Sequence, residues 1–254
     1  MPVAACAGKV ASVKAPSATT TDTLLGGRLR LRQPRTGYRV NIDSVLLVGF
    51  AGERRVERLV DLGAGVGALG LLALSRGLAR HALLVESDPK LAQLARENLE
   101  LGGFSGEVRE HDLGRNGLRE TGVPLVLCNP PYYPAHSHRP AQTPAKASAR
   151  SGDVTPFLQA AAGVLARKTG RALFSYPASL LPELLAAARG CELVAKRLRF
   201  VHAREGEPAR LALIELRAAR PGGLVVEAPL VEWRGARRSA ELLELSGDRA
   251  SDRK

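Results

Sequence analysis

Cysteines are scarce in this sequence of 254 residues, and long apolar runs are absent. The three cysteines, Cys6, Cys128 and Cys191, lack the spacing of a metal or redox motif, which is typical of reduced thiols in a cytosolic protein. No apolar run approaches the length of a membrane span, and the first residues lack the charged and apolar segments of a signal peptide. We therefore expect a cytoplasmic protein without a membrane segment.

Acidic residues are outnumbered, since 25 Asp and Glu stand against 37 Lys and Arg, which gives a net charge of +12. Such a charge favours an anionic partner, most simply a nucleic acid, and the alternative is scattered arginines that only solvate the surface. Clustering of the basic residues favours nucleic acid. The predicted contacts are Arg28, Arg30 and Arg32, which alternate with leucines, then Arg139, Lys146 and Arg150, and finally Arg197 and Arg199.

Apolar segments of strand length alternate with helical patterns along most of the chain. Helices separate most of the predicted strands, which lie at 57–61, 82–85, 107–109, 123–128 and 171–176. This alternation predicts an α/β fold with a mostly parallel, doubly wound sheet. Two late strands, 193–202 and 211–217, have no helix between them and predict an antiparallel hairpin at the C-terminal side.

The folded part of the chain is predicted to be one domain, at residues 23–233, because this length can bury a complete core. Residues 1–22 are rich in Ala, Ser and Thr and have few large apolar side chains, so we expect a disordered extension there. Residues 234–254 are predicted to form a basic, flexible tail that contains a short helix and a frayed end.

A glycine-rich turn, residues 63–67, follows the first predicted strand of the sheet. Asp61 comes directly before the turn, and a helical pattern comes directly after it. Glycines let a backbone turn sharply and approach a cofactor closely. Glu86 ends the next strand and Asp112 follows the third, and in nucleotide sites an acid at the end of the second strand bonds a ribose. The pattern predicts a nucleotide-like cofactor.

Two cofactors compete for this turn. Gly65, Gly67 and Gly70 match the dinucleotide fingerprint, so NAD is one candidate. Asp61 would repel the phosphates of NAD, whereas S-adenosylmethionine has no phosphate and carries a positive sulfonium. Asp112 would accept a hydrogen bond from the adenine amine, and its alternative role is that of an ordinary loop acid. Three acids at successive strand ends favour S-adenosylmethionine.

The tetrapeptide Asn129-Pro130-Pro131-Tyr132 ends the predicted strand at 123–128. Ligands of open α/β sheets bind at that edge, where these side chains would pack poorly. The Asn129 amide oxygen and the Pro130 carbonyl can each accept one N–H of an exocyclic amine, and Tyr132 can stack on the ring that carries it. Two acceptors turn the nitrogen lone pair out of conjugation and make the amine nucleophilic. The alternative is a tight Pro-Pro turn.

These motifs together resemble the class I methyltransferases that carry an Asn-Pro-Pro-Tyr motif. More narrowly, the chain resembles the bacterial tRNA (adenine-N6)-methyltransferase family that modifies the adenosine 3′ of the anticodon in a valine tRNA. The resemblance spans about residues 23–233, and the segments that carry it are 24–33, 37–39, 43–47, 61–67, 129–132 and 194–202. Gly-Tyr-Arg at 37–39 followed by Asp-Ser-Val-Leu-Leu at 43–47 discriminates best.

The resemblance implies a Rossmann-like sheet of seven strands, S-adenosylmethionine as cofactor, and an N-terminal element that folds over the cofactor. The cofactor contacts predicted in this way, together with the reasoning above, are Asp43, Asp61, Gly63, Gly65, Gly67, Glu86, Asp112 and Asn129. The predicted catalytic residues are Asn129, Pro130, Pro131 and Tyr132.

The resulting hypothesis is N6-methylation of an adenosine in tRNA. The alternatives are methylation of a protein glutamine, whose amide presents the same NH2 geometry, methylation of adenine in rRNA or DNA, and a non-catalytic RNA-binding module that retains the fold. Residues 133–152 contain no acid, although the family often has one there, and we interpret them as a mobile basic loop. No metal is expected, because His136 and His138 lack further ligands nearby. A monomer is favoured.

Overall fold

The computed structural model describes residues 19–36, 39–115, 117–131, 153–218 and 222–248. Several predictions fall outside these ranges: the stacking role of Tyr132, the basic loop at 133–152 with Arg139, Lys146 and Arg150, and the first 18 residues of the N-terminal extension. Within the described ranges, no helix is both long and apolar enough to cross a membrane.

The elements alternate as the sequence pattern predicts. The strands are β1 (Thr19–Leu24), β2 (Leu29–Pro34), β3 (Val56–Leu62), β4 (Ala79–Glu86), β5 (Gly106–Glu110), β6 (Leu125–Cys128), β7 (Arg171–Pro177), β8 (Leu193–Arg204), β9 (Ala209–Ala218), β10 (Val225–Val226), β11 (Leu230–Arg234) and β12 (Arg237–Arg238). The helices are α1 (Ile42–Phe50), α2 (Ala68–Ser75), α3 (Pro89–Gly102), α4 (Thr155–Val164), α5 (Leu181–Gly190) and α6 (Ala240–Ser246).

Seven strands form the centre of the main sheet in the order β5-β4-β3-β6-β7-β9-β8. The five strands from β5 to β7 run parallel, and β9 is antiparallel to both β7 and β8. The predicted α/β fold with an antiparallel C-terminal hairpin is confirmed. The strand order reverses between β3 and β6, and ligands of such sheets bind in the crevice at the carboxyl ends of the strands at this point.

Both faces of the sheet are covered. Successive side chains of a strand point to opposite faces, and in these strands the side chains on both faces are apolar. Leu59, Leu127 and Leu173 pack on one side with α1, α2, α3 and β2. Val60 and Phe174 pack on the opposite side with α4 and α5. The crevice therefore lies at one end of a sheet whose strands are buried on both sides.

The sheet extends beyond β8 by three short strands that the sequence pattern did not predict. Both β10 and β11 pair in parallel with β8, and β12 pairs with β11 in antiparallel orientation. Pro229 separates β10 from β11, and both β10 and β12 have two residues. Strands of two residues carry no readable alternation, since the pattern needs about four residues, whereas β11 has five residues and was missed.

The predicted flexible tail at 234–254 is wrong for much of its length. Ser239 caps α6 by accepting a hydrogen bond from the Leu242 N–H, and Leu242 is buried. Leu245 packs on Gly49 of α1, where a Cβ atom would lie 2.6 Å from its side chain. The end of α6 also meets the turn between β1 and β2, because a Cβ atom on Gly26 would lie 2.3 Å from the Gly247 carbonyl oxygen. Apolar side chains three residues apart give this short helix a buried face.

The predicted N-terminal boundary also needs correction. Disorder was expected through Asp22, but β1 begins at Thr19 and pairs antiparallel with β2. The Asp22 carboxylate accepts hydrogen bonds from Gln33 and from Arg39 Nη2, the latter at 2.6 Å. The Gln33 bond is the main cause that lowers the pKa of Asp22. Threonines favour a strand, and these polar contacts hold the N-terminal hairpin, β1 and β2, together.

Candidate active site

The glycine turn, Gly63–Gly67, leads from the end of β3 into α2. Gly63, Gly65 and Gly67 have φ angles of 70°, 59° and 89°, in the left-handed region that glycine adopts without strain. The N–H groups of Gly63 and Ala64 both donate to the Val85 carbonyl oxygen at 2.9 Å. The turn is therefore fixed to the end of β4, beside the crevice.

Asp61 lies fully buried at the end of β3. Its Oδ2 atom accepts a hydrogen bond from the Gly70 N–H at 2.9 Å, and its Oδ1 atom has no partner among the described residues. Burial raises the pKa of the Asp61 carboxyl to about 7, the Gly70 bond opposes this rise, and the charge of Glu86 adds to it. Buried polar atoms are almost always paired, so the open oxygen suits a donor group of a ligand.

Glu86 lies at the end of β4 with its side chain across the glycine turn. Its Oε2 atom accepts from the Gly65 N–H at 2.8 Å, and its Oε1 atom accepts from the Ser87 and Asp88 N–H groups at the same distance. The structure places Glu86 where the sequence predicts it, at the strand end beside the turn. Its contact with a cofactor stays a prediction.

Asp112 follows the end of β5, one strand further along the sheet. The N–H of His111 donates to the Glu86 carbonyl oxygen at 2.9 Å, which brings the exit of β5 beside the end of β4. Asp112 is half-exposed; its Oδ1 accepts from the Gly114 N–H at 3.0 Å and its Oδ2 pairs with Arg115 at 3.3 Å. Three acids thus lie at three neighbouring strand ends, although the local bonds of Asp112 also fit an ordinary loop acid.

Asp43 lies at the start of α1 in a buried ion network. Its Oδ1 atom accepts from Arg210 Nη1 at 2.8 Å, and Arg210 also pairs with Glu232 on β11. The Glu232 hydrogen bonds are the largest cause that raises the pKa of the Arg210 guanidinium. This carboxylate ties α1 to β9 and β11, and its contact with a cofactor stays a prediction.

Asn129 follows the end of β6, on the strand next to β3. Leu62 of β3 pairs with Cys128 of β6, so Asn129 and Gly63 leave adjacent strands at the same level of the sheet. Asn129 is partly buried, Pro130 is buried and Pro131 is exposed. The predicted amine acceptor and the predicted cofactor turn therefore meet at the crevice.

Two buried side chains of the site were missed by the sequence analysis. Asn98 on α3 is fully buried; its Oδ1 accepts from the Arg32 N–H at 2.7 Å, and its Nδ2 donates to the Arg32 and Val66 carbonyl oxygens at 2.9 and 3.0 Å. It joins the N-terminal hairpin to the glycine turn. The available signal was an amide on the apolar face of α3, four residues after Leu94. The second residue is Ser175, whose hydroxyl donates to Asn129 Oδ1 at 2.7 Å.

The N-terminal hairpin exposes part of the predicted basic cluster. Along β2 the leucines are buried while Arg30 and Arg32 are exposed, so the predicted alternation places both on one face. Arg32 Nη1 pairs with Glu97 at 2.7 Å, and Arg28, in the turn before β2, donates from Nε to the Leu25 carbonyl oxygen at 3.1 Å.

The predicted nucleic-acid contacts Arg197 and Arg199 have structural partners instead. Arg197 pairs with Glu215 at 3.0 Å and with Glu227 at 2.8 Å, and its guanidinium lies over the Phe50 ring. Arg199 pairs at 2.6 Å with Glu241 of α6. Both guanidiniums fasten the C-terminal elements to β8, and their contact with nucleic acid stays a prediction.

A family model described as "Methyltransferase small domain" matches residues 37–149. The matched range holds the glycine turn, Glu86, Asp112 and Asn129, which are the elements that meet at the crevice. The predicted class of enzyme, a methyltransferase that uses S-adenosylmethionine, is confirmed.

The chain is similar to curated proteins of the predicted family. The tRNA1(Val) (adenine(37)-N6)-methyltransferase of Aliivibrio fischeri strain MJ11 is 27% identical over 185 residues, which cover 71% of this chain and 77% of the relative. The protein of the same description from Pedobacter heparinus is 28% identical over 185 residues, with 71% and 78% covered. The resemblance predicted from the motifs is confirmed.

The fold is similar to that of solved methyltransferases. The crystal structure of a predicted O-methyltransferase from Agrobacterium tumefaciens superposes with a TM-score of 0.65 at 24% identity, over 82% of this chain and 96% of that one. The similarity supports the architecture of the sheet described above.

The residues at the crevice fit S-adenosylmethionine. The unpaired oxygen of Asp61 and the carboxylate of Glu86 both lie at the turn, where a positive cofactor would stabilise the charged forms of the two acids and a pyrophosphate would be repelled. Among the described residues, no group of three or more His, Cys, Asp or Glu side chains could hold a metal ion.

Proposed function

We propose that the protein methylates the N6 amine of adenosine 37, 3′ of the anticodon, in a valine tRNA. The observation that carries the proposal is the position of Asn129, at the end of β6 beside the glycine turn on β3. The names of the curated relatives support the choice of tRNA and of this adenosine. The partner is therefore tRNA, and the place of action is the cytoplasm.

The cofactor site is proposed to use Asp61, Glu86 and the glycine turn, with Asp112 at its outer edge. When bound, S-adenosylmethionine supplies an electrophilic methyl group. The open Asp61 oxygen accepts from a donor group of the cofactor, and Glu86 accepts from its ribose hydroxyls. The positive φ angles of Gly63, Gly65 and Gly67 curve the backbone of the turn, and the absence of a Cβ atom lets Gly63 and Gly67 pack closely against Phe157 and Leu84.

Asn129 and Pro130 are proposed to hold the target amine. The Asn129 amide oxygen and the Pro130 carbonyl accept its two N–H groups, which directs the nitrogen lone pair away from the ring. The same two acceptors stabilise the positive charge that builds on the amine during transfer. No strong general base is required, because the amine proton becomes acidic as that charge develops. Stacking of the base on Tyr132 stays a prediction.

The tRNA surface is proposed to include the exposed face of the N-terminal hairpin. Arg30 has no carboxylate partner among the described ion pairs, and the exposed pair between Arg32 and Glu97 contributes little energy. Both guanidiniums are therefore available to phosphates. Arg139, Lys146 and Arg150 belong to the same proposal, as residues of the segment that follows Asn129 in the chain.

The decisive experiment follows methyl transfer from labelled S-adenosylmethionine to separate pools of tRNA, rRNA, DNA and protein. We expect label in tRNA, and N6-methyladenosine at position 37 when a valine tRNA transcript is digested and analysed by mass spectrometry. A transcript with guanosine at that position is the matched control and should take up no label. Label in the protein pool at glutamine would replace this proposal by the protein-glutamine alternative. Label in rRNA or DNA would reassign the nucleic acid.

A further inference from the structure

A serine is buried beside the proposed amine acceptor. Ser175 lies near the carboxyl end of β7 with no exposed surface. A hydroxyl in such a position needs a hydrogen-bond partner, because an unpaired buried polar group costs about 1 to 3 kcal/mol. The partner is Asn129, whose Oδ1 atom accepts from Ser175 Oγ at 2.7 Å.

The register of the sheet explains why these two residues meet. Leu127 of β6 pairs with Leu173 of β7, and both pack on the same side of the sheet. Side chains two residues further along a strand point to the same side. Asn129 and Ser175 are therefore the next matched pair on that side, at the level where the strands open into the crevice. The contact follows from the pairing of β6 with β7, beside the switch point of the sheet.

The hydroxyl distinguishes the two orientations of the Asn129 amide. The terminal torsion of an asparagine is broad and nearly two-fold, so oxygen and nitrogen can exchange places at small cost. In the observed orientation the oxygen accepts from Ser175 and keeps a second lone pair. In the reversed orientation the amide NH2 would face Ser175, and the hydrogen bond that the Ser175 hydroxyl donates to Asn129 would be lost. The buried hydroxyl therefore penalises the reversed amide.

We propose that Ser175 is a positioning residue that keeps the Asn129 amide in the orientation in which its oxygen can accept the target amine. The inference rests on the proposed function for its consequence, since only an oxygen can accept the amine N–H. A reversed amide would turn the N–H groups of Asn129 toward the N–H groups of the target amine, and neither could accept a hydrogen bond from the other. Ser175 touches neither the substrate nor the cofactor in this proposal and acts through Asn129 alone.

The first test observes the Asn129 amide directly and does not depend on any substrate. The side-chain NH2 signals of Asn129 are assigned in a nitrogen-15 spectrum by their loss in Asn129→Ala. We expect these signals to move or broaden in Ser175→Ala and to stay near their original positions in Ser175→Thr, which keeps a hydroxyl. Unchanged signals in Ser175→Ala would overturn the proposal. Ser246→Ala, another buried serine on distant α6, is the matched control.

The second test is kinetic and uses the variant Asn129→Asp. The two oxygens of its carboxylate are equivalent, so rotation of the side chain by half a turn changes nothing. Asparagine carries one oxygen, whereas the aspartate in Asn129→Asp presents an oxygen on both sides. Ser175→Ala should lower kcat about 10-fold in the wild-type background, the effect of one hydrogen bond, with KM for S-adenosylmethionine unchanged. In the Asn129→Asp background the same change should lower kcat less than about twofold, since coupled residues are not additive.

An equal loss in the two backgrounds would show that Ser175 acts on the fold and not through Asn129. If Asn129→Asp has no measurable turnover, the nitrogen-15 spectra of the Asn129 amide decide whether Ser175 orients this side chain. Failure of the proposed function gives a different result, because tRNA would take up no label from the wild-type protein while the Asn129 spectra still report on Ser175. The kinetic cycle is then run with the substrate that does take up label.

Discussion

The side-chain Nδ2 of Asn98 donates a hydrogen bond to the carbonyl oxygen of Val66, with 3.0 Å between the two atoms. Val66 belongs to the glycine turn, and the same amide also bonds the backbone of Arg32 in β2. One buried side chain thus connects the proposed cofactor turn with the proposed tRNA-binding hairpin.

Replacing Asn98 by alanine should destabilise the protein and weaken cofactor binding together. The change leaves two carbonyl oxygens and one N–H without their partner, which should cost on the order of 2 to 4 kcal/mol in the free energy of unfolding. Urea unfolding measures the first effect, and calorimetric titration with S-adenosylhomocysteine measures the second. Gln93→Ala, on the exposed face of the same helix, is the control. Wild-type affinity in Asn98→Ala would limit this residue to a structural role.

Replacing Asn129 by alanine should abolish transfer and leave cofactor binding intact. Loss of one positioned acceptor should lower kcat about 100- to 1000-fold, because that acceptor stabilises charge that develops during transfer. Rates with a valine tRNA transcript and titration with S-adenosylhomocysteine separate the two effects. Loss of cofactor binding in the variant would make Asn129 part of the cofactor site and contradict the proposed chemistry.

S-adenosylhomocysteine should protect the protein from thermal unfolding, whereas NAD should not. Asp61 and Glu86 present carboxylates at the turn, where a pyrophosphate would be repelled. Glu86→Gln keeps the size of the side chain and removes its charge, so it should bind S-adenosylhomocysteine at least about 10-fold more weakly, a loss of about 1.4 kcal/mol. A melting temperature raised by NAD and not by S-adenosylhomocysteine would reverse the assignment of the cofactor.

The contribution of Asp61 to the stability of the protein without cofactor should fall as pH rises from about 4 to about 7. Burial raises the pKa of Asp61 from 3.8 to about 7, so the native state binds more protons than the unfolded state across that window. The total effect is on the order of 4 kcal/mol at most. Asp61→Asn cannot titrate and should lack this part of the slope when urea unfolding is followed at several pH values. Identical slopes in the two proteins would place the folded pKa near its ordinary value.

Replacing Arg28, Arg30 and Arg32 together by alanine should weaken tRNA binding without changing cofactor affinity. Each lost phosphate contact should reduce the slope of log affinity against log salt by about 0.7 to 0.9. Arg80→Ala is the control, since Arg80 is exposed at the opposite end of the sheet, near the start of β4. A salt slope equal to that of the wild type would mean that these arginines only solvate the surface.

The sequence was sufficient to place the parts of the site that depend on strand periodicity. Asp61, Glu86 and Asn129 each end a buried strand, and parallel strands bring their carboxyl ends to one edge of a sheet. These positions follow from local patterns, so no knowledge of distant contacts was needed. The glycine turn was predictable for the same reason.

The residues that sequence reasoning missed or misplaced depend on contacts between distant parts of the chain. Ser175 meets Asn129 through the pairing of β6 and β7, which a local pattern does not reveal. Arg197 belonged to a basic stretch in the sequence, but its partners Glu215 and Glu227 come from β9 and from the segment after β10. Charge counts along the chain give no information about such partners. The strands β10 and β12 were missed because two residues carry no clear period, whereas a short helix was predicted in the region of α6.

The contact between Gly26 and Gly247 has a consequence for the order in which the protein is completed. The turn of the N-terminal hairpin rests on the end of α6 so closely that neither glycine has space for a Cβ atom. During translation Gly26 leaves the ribosome long before Gly247 has been made. The strand β2 can pack on α3 as soon as that helix has been made, whereas the turn at Gly26 gains its contact with α6 only when the last helix is complete.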